Sequence, residues 1–424
     1  MERISRRGFI KAAGSTALVG MLGAPYLAMG AAKKVVVVGG GPGGATAAKY
    51  LRRLDPGIEV TLIEPKKEYY TCFFSNEVIG GERKLETLRF TYDGLKKHGV
   101  QVVHDAVTGI DGGAKTVMTA GGQKFAFDRC IVAPGIDFKW GAIEGYDEKA
   151  SETLPHAWKA GEQTLLLRRQ LESMADGGTV IIVAPPTPYR CPPGPYERAS
   201  LIAHYLKTHK PKSKILILDP KDGFSKQPLF EAGWKKHYPG MIEWVSGQKG
   251  GKAESIDVAA RVVRTEMDQF KGDVINVIPP QTAGRIALSS GLADDKGWCP
   301  NNPATFESTL VPNVHVIGDA SIAGAMPKSA YAANSQAKVC AMAVAALLNG
   351  KQPPTPAYFN TCYSMIAPDH AVTIVGVYRL QDGKIAEVPG SGGITPVDAP
   401  DEMLRREMVY AYSWFNNITD DIFG

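Results

Sequence analysis

A chain of 424 residues that is 44% apolar can bury two or three domain cores, which excludes a disordered or fibrous protein. The formal charge is +5. Arg3, Arg6, Arg7 and Lys11 outweigh Glu2 within the first 31 residues, so the remainder is nearly balanced and has no charge pattern for nucleic acid or an anionic membrane surface.

In chain order, the first element is a targeting segment. Ser5-Arg6-Arg7-Gly8-Phe9-Ile10-Lys11, followed by an apolar run ending near Ala28-Met29-Gly30, reads as a twin-arginine export signal. Residues 1–31 are therefore set apart from the fold, and the protein is expected in the periplasm. The apolar run, residues 17–29, is shorter than the roughly 20 residues a spanning helix needs. No later stretch qualifies, so no membrane span is expected.

Residues 33–38 form a β-branched run suited to a buried parallel strand. Gly39-Gly40-Gly41-Pro42-Gly43-Gly44 follows, then a helix over 45–53 and a strand over 59–64. This strand–turn–helix–strand unit is a dinucleotide-binding fingerprint. Gly39 permits the tight turn, Gly41 lets a pyrophosphate approach the backbone, and Gly44 lets helix and strand pack closely. Glu64, at the end of the second strand, is set to accept hydrogen bonds from an adenosine ribose. Soluble nicotinamide nucleotides are scarce outside the cytoplasm, so the expected dinucleotide is permanently held FAD.

A further strand is expected over 127–134, leaving the sheet through Ala133-Pro134-Gly135. A second α/β unit opens with a strand over 178–184. Where a second glycine fingerprint would fall, the sequence reads Pro185-Pro186-Thr187-Pro188-Tyr189-Arg190-Cys191-Pro192-Pro193-Gly194. Proline removes backbone donors and restricts the chain, so this loop is no phosphate cradle. The strand Lys214–Leu218 ends at Asp219, read as a strand end rather than a ribose ligand. Near the far end, a strand over 309–319 closes in Gly318-Asp319. Asp319 suits a bond to the ribityl chain of a flavin, and the helix expected over 330–348 turns its N-terminus toward negative charge. From Pro353 a hairpin is expected through 371–379 and 384–388, then a helix over 402–416, with Trp414 and Phe415 either packing the tail or facing a partner.

The pattern is α/β: two Rossmann-type parallel-sheet domains plus a smaller C-terminal α+β domain. The expected boundaries are 32–150 with 291–350 for a discontinuous FAD domain, 151–290 for a second Rossmann-like domain without a nucleotide motif, and 351–424 for the tail. The six cysteines are Cys72, Cys130, Cys191, Cys299, Cys340 and Cys362. They form no C-x-x-C motif, and the histidines form no cluster of metal-ligand spacing, so no zinc, iron–sulfur or attached haem site is expected. Cys130, Cys299 and Cys340 sit in strand- or helix-like surroundings and are assigned to packing, although Trp298-Cys299-Pro300 leaves Cys299 an approach to the flavin.

The Gly39–Gly44 turn, Glu64, Tyr70-Thr71-Cys72-Phe73-Phe74-Ser75-Asn76, Cys191-Pro192-Pro193-Gly194-Pro195-Tyr196-Glu197, Gly318-Asp319 and the region of Cys362 together resemble the flavoprotein subunit of flavocytochrome c sulfide dehydrogenase, a relative of sulfide:quinone oxidoreductases with a glutathione-reductase-like fold. The resemblance implies FAD held through a thioether at Cys72, and a redox disulfide of Cys191 with Cys362 beside the flavin. It also implies Glu197 as a proton-transfer group, sulfide as substrate, and a c-type cytochrome subunit as partner in a heterodimer. By this implication hydrosulfide opens the disulfide, leaving a persulfide and a thiolate, and electrons pass through FAD to haem. The residues alone leave other cysteine pairings open, and Glu197 equally suits a surface carboxylate. Two other readings stand beside this one: a sulfide:quinone oxidoreductase, and a flavin electron-transfer subunit without sulfide chemistry.

Overall fold

Val35, Val37 and Leu62 are all but fully buried, which is what a parallel strand covered on both faces requires. Lys33–Val38 and Ile58–Ile63 accordingly pair in parallel, Val35 opposite Val60 and Val37 opposite Leu62. The computed structural model describes residues 32–424; the segment expected to be an export signal lies outside the described residues. The first sheet is parallel throughout, in the order Val314–Val316, Arg129–Val132, Lys33–Val38, Ile58–Ile63, Gln101–Val103. The helix Pro42–Leu54 makes the crossover between its two central strands and packs against Ala330–Leu348. Small residues line both helices at this contact: Ala45, Ala47 and Ala48 on one, Ala337 and Ala341 on the other, all buried, so the axes approach closely.

A second parallel sheet runs Ile242–Val245, Lys214–Leu218, Thr179–Val183, Val274–Val277. The short antiparallel pair of Ile136–Phe138 with Gln281–Ala283 ties the chain segments entering and leaving it. The tail forms an antiparallel meander of Ala357–Ala367, His370–Gln381 and Lys384–Glu387, followed by the helix Asp401–Phe423. That helix buries Leu404, Met408, Ala411, Phe415, Ile418 and Ile422, a single apolar face. Two parallel sheets plus a smaller α+β tail make this the glutathione-reductase-like architecture.

Several expected elements change length for local reasons. The first helix starts at Pro42 rather than residue 45, because Gly41 is extended at the N-cap and proline fits the first helical turn. The strands expected over 127–134 and 309–319 shrink to Arg129–Val132 and Val314–Val316. Pro134 and Pro312 offer no backbone donor, and Asn313 takes a left-handed φ of 64°. The tail helix runs on from residue 416 to Phe423. Lys49 on the first helix donates to the carbonyls of Asp420 (3.0 Å) and Asp421 (3.2 Å), satisfying helix-end acceptors. Among the elements that had gone unread are the helix Gly194–His209 directly after the proline loop and the strand Ala357–Ala367 that carries Cys362.

Candidate active site

The glycine turn forms one wall of a cleft, and each glycine acts differently. A Cβ on Gly39 (φ +97°) would lie 2.4 Å from the Ala133 carbonyl oxygen, and one on Gly44 would lie 1.8 Å from that of Gly39. Those two positions admit nothing larger. A Cβ on Gly41 would instead point into the cleft, with the Tyr69 ring 3.5 Å away as its nearest neighbour. Backbone can thus come close to a ligand there. Glu64 accepts from the backbone N–H of Gly40 (2.8 Å) and of Lys66 (3.0 Å), so its carboxylate also pins the turn.

Gly318 and Asp319 form the facing wall. The N–H of Gly318 donates to Gln336 Oε1 at 2.8 Å, fixing the turn at the end of Val314–Val316. Asp319 Oδ2 lies 3.9 Å from Arg190, while Oδ1 is buried with no hydrogen-bond partner. Burial pushes this carboxyl's pKa up, opposed by Arg190 and Lys328. A buried acceptor left unpaired costs about 1–3 kcal/mol, so a hydroxyl donor is wanted at that place. The side-chain-free cradle at Gly41, the carboxylate at Glu64 and this orphaned oxygen match the pyrophosphate, ribose and ribityl hydroxyls of FAD. The residues present fit that cofactor.

Beside the cleft lies a second cavity, and Cys72 and Arg190 line both. Three cysteines reach the second cavity from three segments. Cys72 belongs to the turn before the helix Ser75–Gly80, where the N–H and hydroxyl of Ser75 donate to its carbonyl. Cys191 follows the strand Thr179–Val183 and adopts a left-handed φ of 58°. Its N–H donates to the Lys328 carbonyl, and its own carbonyl accepts from Gly194, both at 2.8 Å. A non-glycine residue in that conformation costs roughly 1–3 kcal/mol, which the surrounding bonds must hold in place. Cys362 lies mid-strand opposite Ile374, with its sulfur 3.5 Å from the Asn360 amide nitrogen. All six cysteines are free thiols in this structure, Cys191 and Cys362 included.

Glu197 lines the same cavity from the first turn of Gly194–His209. It is no surface carboxylate: Asn76 Nδ2 donates to it at 2.7 Å and the Met365 N–H at 3.0 Å. Burial raises its pKa despite those two donors. The Cys191 thiol is also pushed well up, by burial first and then by negative charge on Glu197, Cys362 and Cys72, while Arg190 pulls it down. The site can therefore hold a proton on Glu197 near a sulfur.

Cys130, Cys299 and Cys340 are fully buried and line neither cavity, so the approach left open for Cys299 is not made. Asp219 is fully buried and accepts from Lys221 (2.6 Å), Trp244 Nε1 (3.0 Å) and the Tyr196 hydroxyl, which leaves it no role as a ribose ligand. Phe415 packs in the core, whereas Trp414 lines the cysteine cavity.

Three cations of the site had escaped notice. Arg190 bridges cleft and cavity. Arg198, 1% exposed, stacks 4.9 Å from the Trp158 ring centroid and donates to Asn76, Asn276, His156 and Ala157. Its signal was an arginine next to the apolar stretch Ala199–Ala203, interrupted by Ser200 alone. Lys226, also buried, looked like any charged residue at a helix start.

Residues 164–279 match the central region of the sulfide dehydrogenase (flavocytochrome c) flavoprotein chain. Residues 354–423 match the flavin-binding region of flavocytochrome c sulphide dehydrogenase, and 33–172 match the pyridine nucleotide-disulphide oxidoreductases. A 46-residue stretch, 11% of this chain, is 70% identical to the sulfide dehydrogenase flavoprotein chain of Chlorobaculum thiosulfatiphilum and spans 96% of that sequence. The mitochondrial sulfide:quinone oxidoreductase of Dictyostelium discoideum is 26% identical, over 72% of this chain and 69% of its own. The structure of the sulfide:quinone oxidoreductase of Aquifex aeolicus superposes with a TM-score of 0.71 at 18% identity, covering 92% of each chain.

Proposed function

We propose that this chain, which belongs to the glutathione-reductase-like flavoprotein oxidoreductases related to both flavocytochrome c sulfide dehydrogenase flavoprotein chains and sulfide:quinone oxidoreductases, oxidises sulfide with FAD. The observation that carries this reading is the shared cavity of Cys191, Cys362 and Glu197, which adjoins the FAD-fitting cleft at Cys72. Gly41, Glu64 and Asp319 hold the cofactor, and Cys72 is its covalent anchor. FAD supplies an acceptor that takes an electron pair and releases electrons singly.

In the oxidised enzyme Cys191 and Cys362 form a disulfide. Hydrosulfide attacks one of the two sulfurs, the S–S bond breaks, and the other sulfur departs as thiolate. Glu197 exchanges a proton with the sulfur intermediates, and burial, which raises its pKa, favours the protonated form that can donate one. Arg190 lies where anions of the cleft and of the cysteine cavity meet, and Arg198 ties the helix that carries Glu197 to Asn76, Asn276 and the backbone of His156 and Ala157.

For the electron acceptor, two readings have separate support. A quinone is favoured by the relatives that align over most of the chain, and this support is the broader. A c-type cytochrome subunit is favoured by the matches of the central and tail regions and by the 70%-identical stretch. Among the described residues, no helix is long and apolar enough to cross a membrane. Residues 1–31 direct export to the periplasm on this reading.

Anaerobic addition of sulfide to the FAD-loaded protein tests the reaction. Sulfide bleaches the flavin absorbance of the native protein, and Cys191→Ser or Cys362→Ser slows bleaching by roughly 10³-fold or more, the scale expected when a covalent nucleophilic step is lost. Full bleaching in both variants overturns the disulfide mechanism. Reoxidation by a short-chain quinone against reoxidation by ferric cytochrome c then assigns the acceptor.

A further inference from the structure

We propose that the Lys226 ammonium is the standing counter-charge for the anion that hydrosulfide brings into the cysteine cavity, and so positions that charge on the Cys362 side. This rests on the sulfide-oxidising reading above. Lys226 is 5% exposed, and its Nζ donates to the Cys362 carbonyl (2.9 Å), Ser364 Oγ (2.9 Å) and the Val372 carbonyl (3.4 Å). All three partners are neutral. Among the described residues, no carboxylate makes an ion pair with it. Buried charges are ordinarily paired, so a buried ammonium bonded only to neutral acceptors calls for an anion nearby.

The backbone is held in place for it. Lys226 caps the helix Gln227–His237 in a left-handed conformation (φ 62°), unusual for lysine. Ser364 connects it to the site, because the Oγ that accepts from Nζ belongs to a residue lining the cavity.

The ionisable groups around the cavity divide by side. Lys226 faces Cys362, Glu197, Cys191 and Glu407. Arg190 faces Cys72, Asp319, Tyr69 and Cys191, and Arg198 faces Cys191 and Glu197. Of these three cations, Lys226 is the one that bonds Cys362 itself, through the carbonyl of that residue. Burial pulls its pKa below the usual lysine value, and negative charge on Cys362, Glu197 and Cys191 opposes that pull.

The step balances in charge. Hydrosulfide carries one negative charge in, its sulfur bonds to one cysteine sulfur, the disulfide breaks, and the pair holds one persulfide and one thiolate. No electron leaves the sulfur atoms in this step. A single negative charge stays in the cavity whichever sulfur is attacked, and a fixed ammonium lowers the energy of that state.

The test is the pH dependence of Cys362 alkylation by iodoacetamide in the dithiol-reduced holoenzyme, read by mass spectrometry of its peptide. Lys226→Met raises the midpoint by roughly one pH unit, the effect of removing a nearby opposite charge, and Lys226→Arg restores most of it. Lys226→Gln keeps a donor for the Cys362 carbonyl without the charge, and it follows the methionine variant. A native midpoint in the glutamine variant overturns the proposal, leaving a role in hydrogen bonding alone. A shifted midpoint in a protein whose flavin sulfide does not bleach supports the lysine's role and overturns the sulfide reading. Normal bleaching with no shift overturns the lysine's role alone.

Discussion

At the scale of single residues, Gly41 and Gly44 make a natural experiment. Both lie in one turn, yet a methyl group meets open cleft at the first and a carbonyl oxygen at the second. Gly41→Ala is expected to keep thermal stability within about 0.5 kcal/mol while lowering the flavin-to-protein ratio, because φ at Gly41 (−72°) suits alanine and only the phosphate approach is filled. Gly44→Ala is expected to destabilise the fold by about 1–3 kcal/mol or more, since helix and strand must part. Absorbance ratios and melting curves separate the two, and equal melting temperatures would refute the distinction. These glycine roles were legible in sequence because local backbone geometry alone sets them. The roles of Arg198 and Lys226 were not, since a buried cation and an exposed one are the same letter until the partners are known.

At the scale of elements, the contact between Gln227–His237 and the hairpin of the tail contains a histidine pair. His237 Nε2 and His370 Nδ1 lie 2.9 Å apart, which requires one of the two rings to supply the proton between them. Burial lowers both pKa values, that of His370 to about 4. The folded state therefore refuses a proton that the unfolded chain accepts near its ordinary value of about 6.5. Stability is intact above that value and is lost as pH falls toward 4. His370→Asn is expected to lose about 1–2 kcal/mol less than the native protein between pH 7 and pH 5 in denaturant titrations. Parallel losses in both proteins would remove the pair from the account. Buried His156 and His315, lowered to about 3 and about 4, add acid sensitivity common to both proteins.

Element lengths show where sequence reading failed and why. Lys33–Val38, Lys214–Leu218 and Ala330–Leu348 were read to the residue, because composition changes sharply at their ends. The strand Ala357–Ala367 was not read. Its burial follows the cavity and the helices Ala330–Leu348 and Gly194–His209 packed against it, so no clean alternation survives in the sequence. The tail helix passed its expected end because the stop is tertiary. Asp421 bonds the Tyr50 hydroxyl (2.7 Å) and pairs with Lys338 (2.8 Å), contacts with no local signature.

At the scale of the whole molecule, the site is an assembly of distant segments. Cys72 leaves the first sheet, Cys191 leaves the second, and Cys362 comes from the tail. A peptide map under non-reducing conditions tests this directly. Unreduced protein should give a Cys191–Cys362 crosslink, and the Cys72 peptide should carry the mass of FAD after denaturation. A crosslink through Cys130, Cys299 or Cys340 would contradict the geometry, since all three are fully buried away from the cavity.

The first dinucleotide unit and the α/β plan are legible along the chain, because each depends on residues adjacent in it. That Glu197 is held by Asn76 and Met365, that Cys299 stands apart and that Asp319 keeps an unpaired oxygen beside the cleft emerges from the folded chain alone. Burial and partnership arise from segments hundreds of residues apart, and no local pattern encodes the electrostatics their meeting creates.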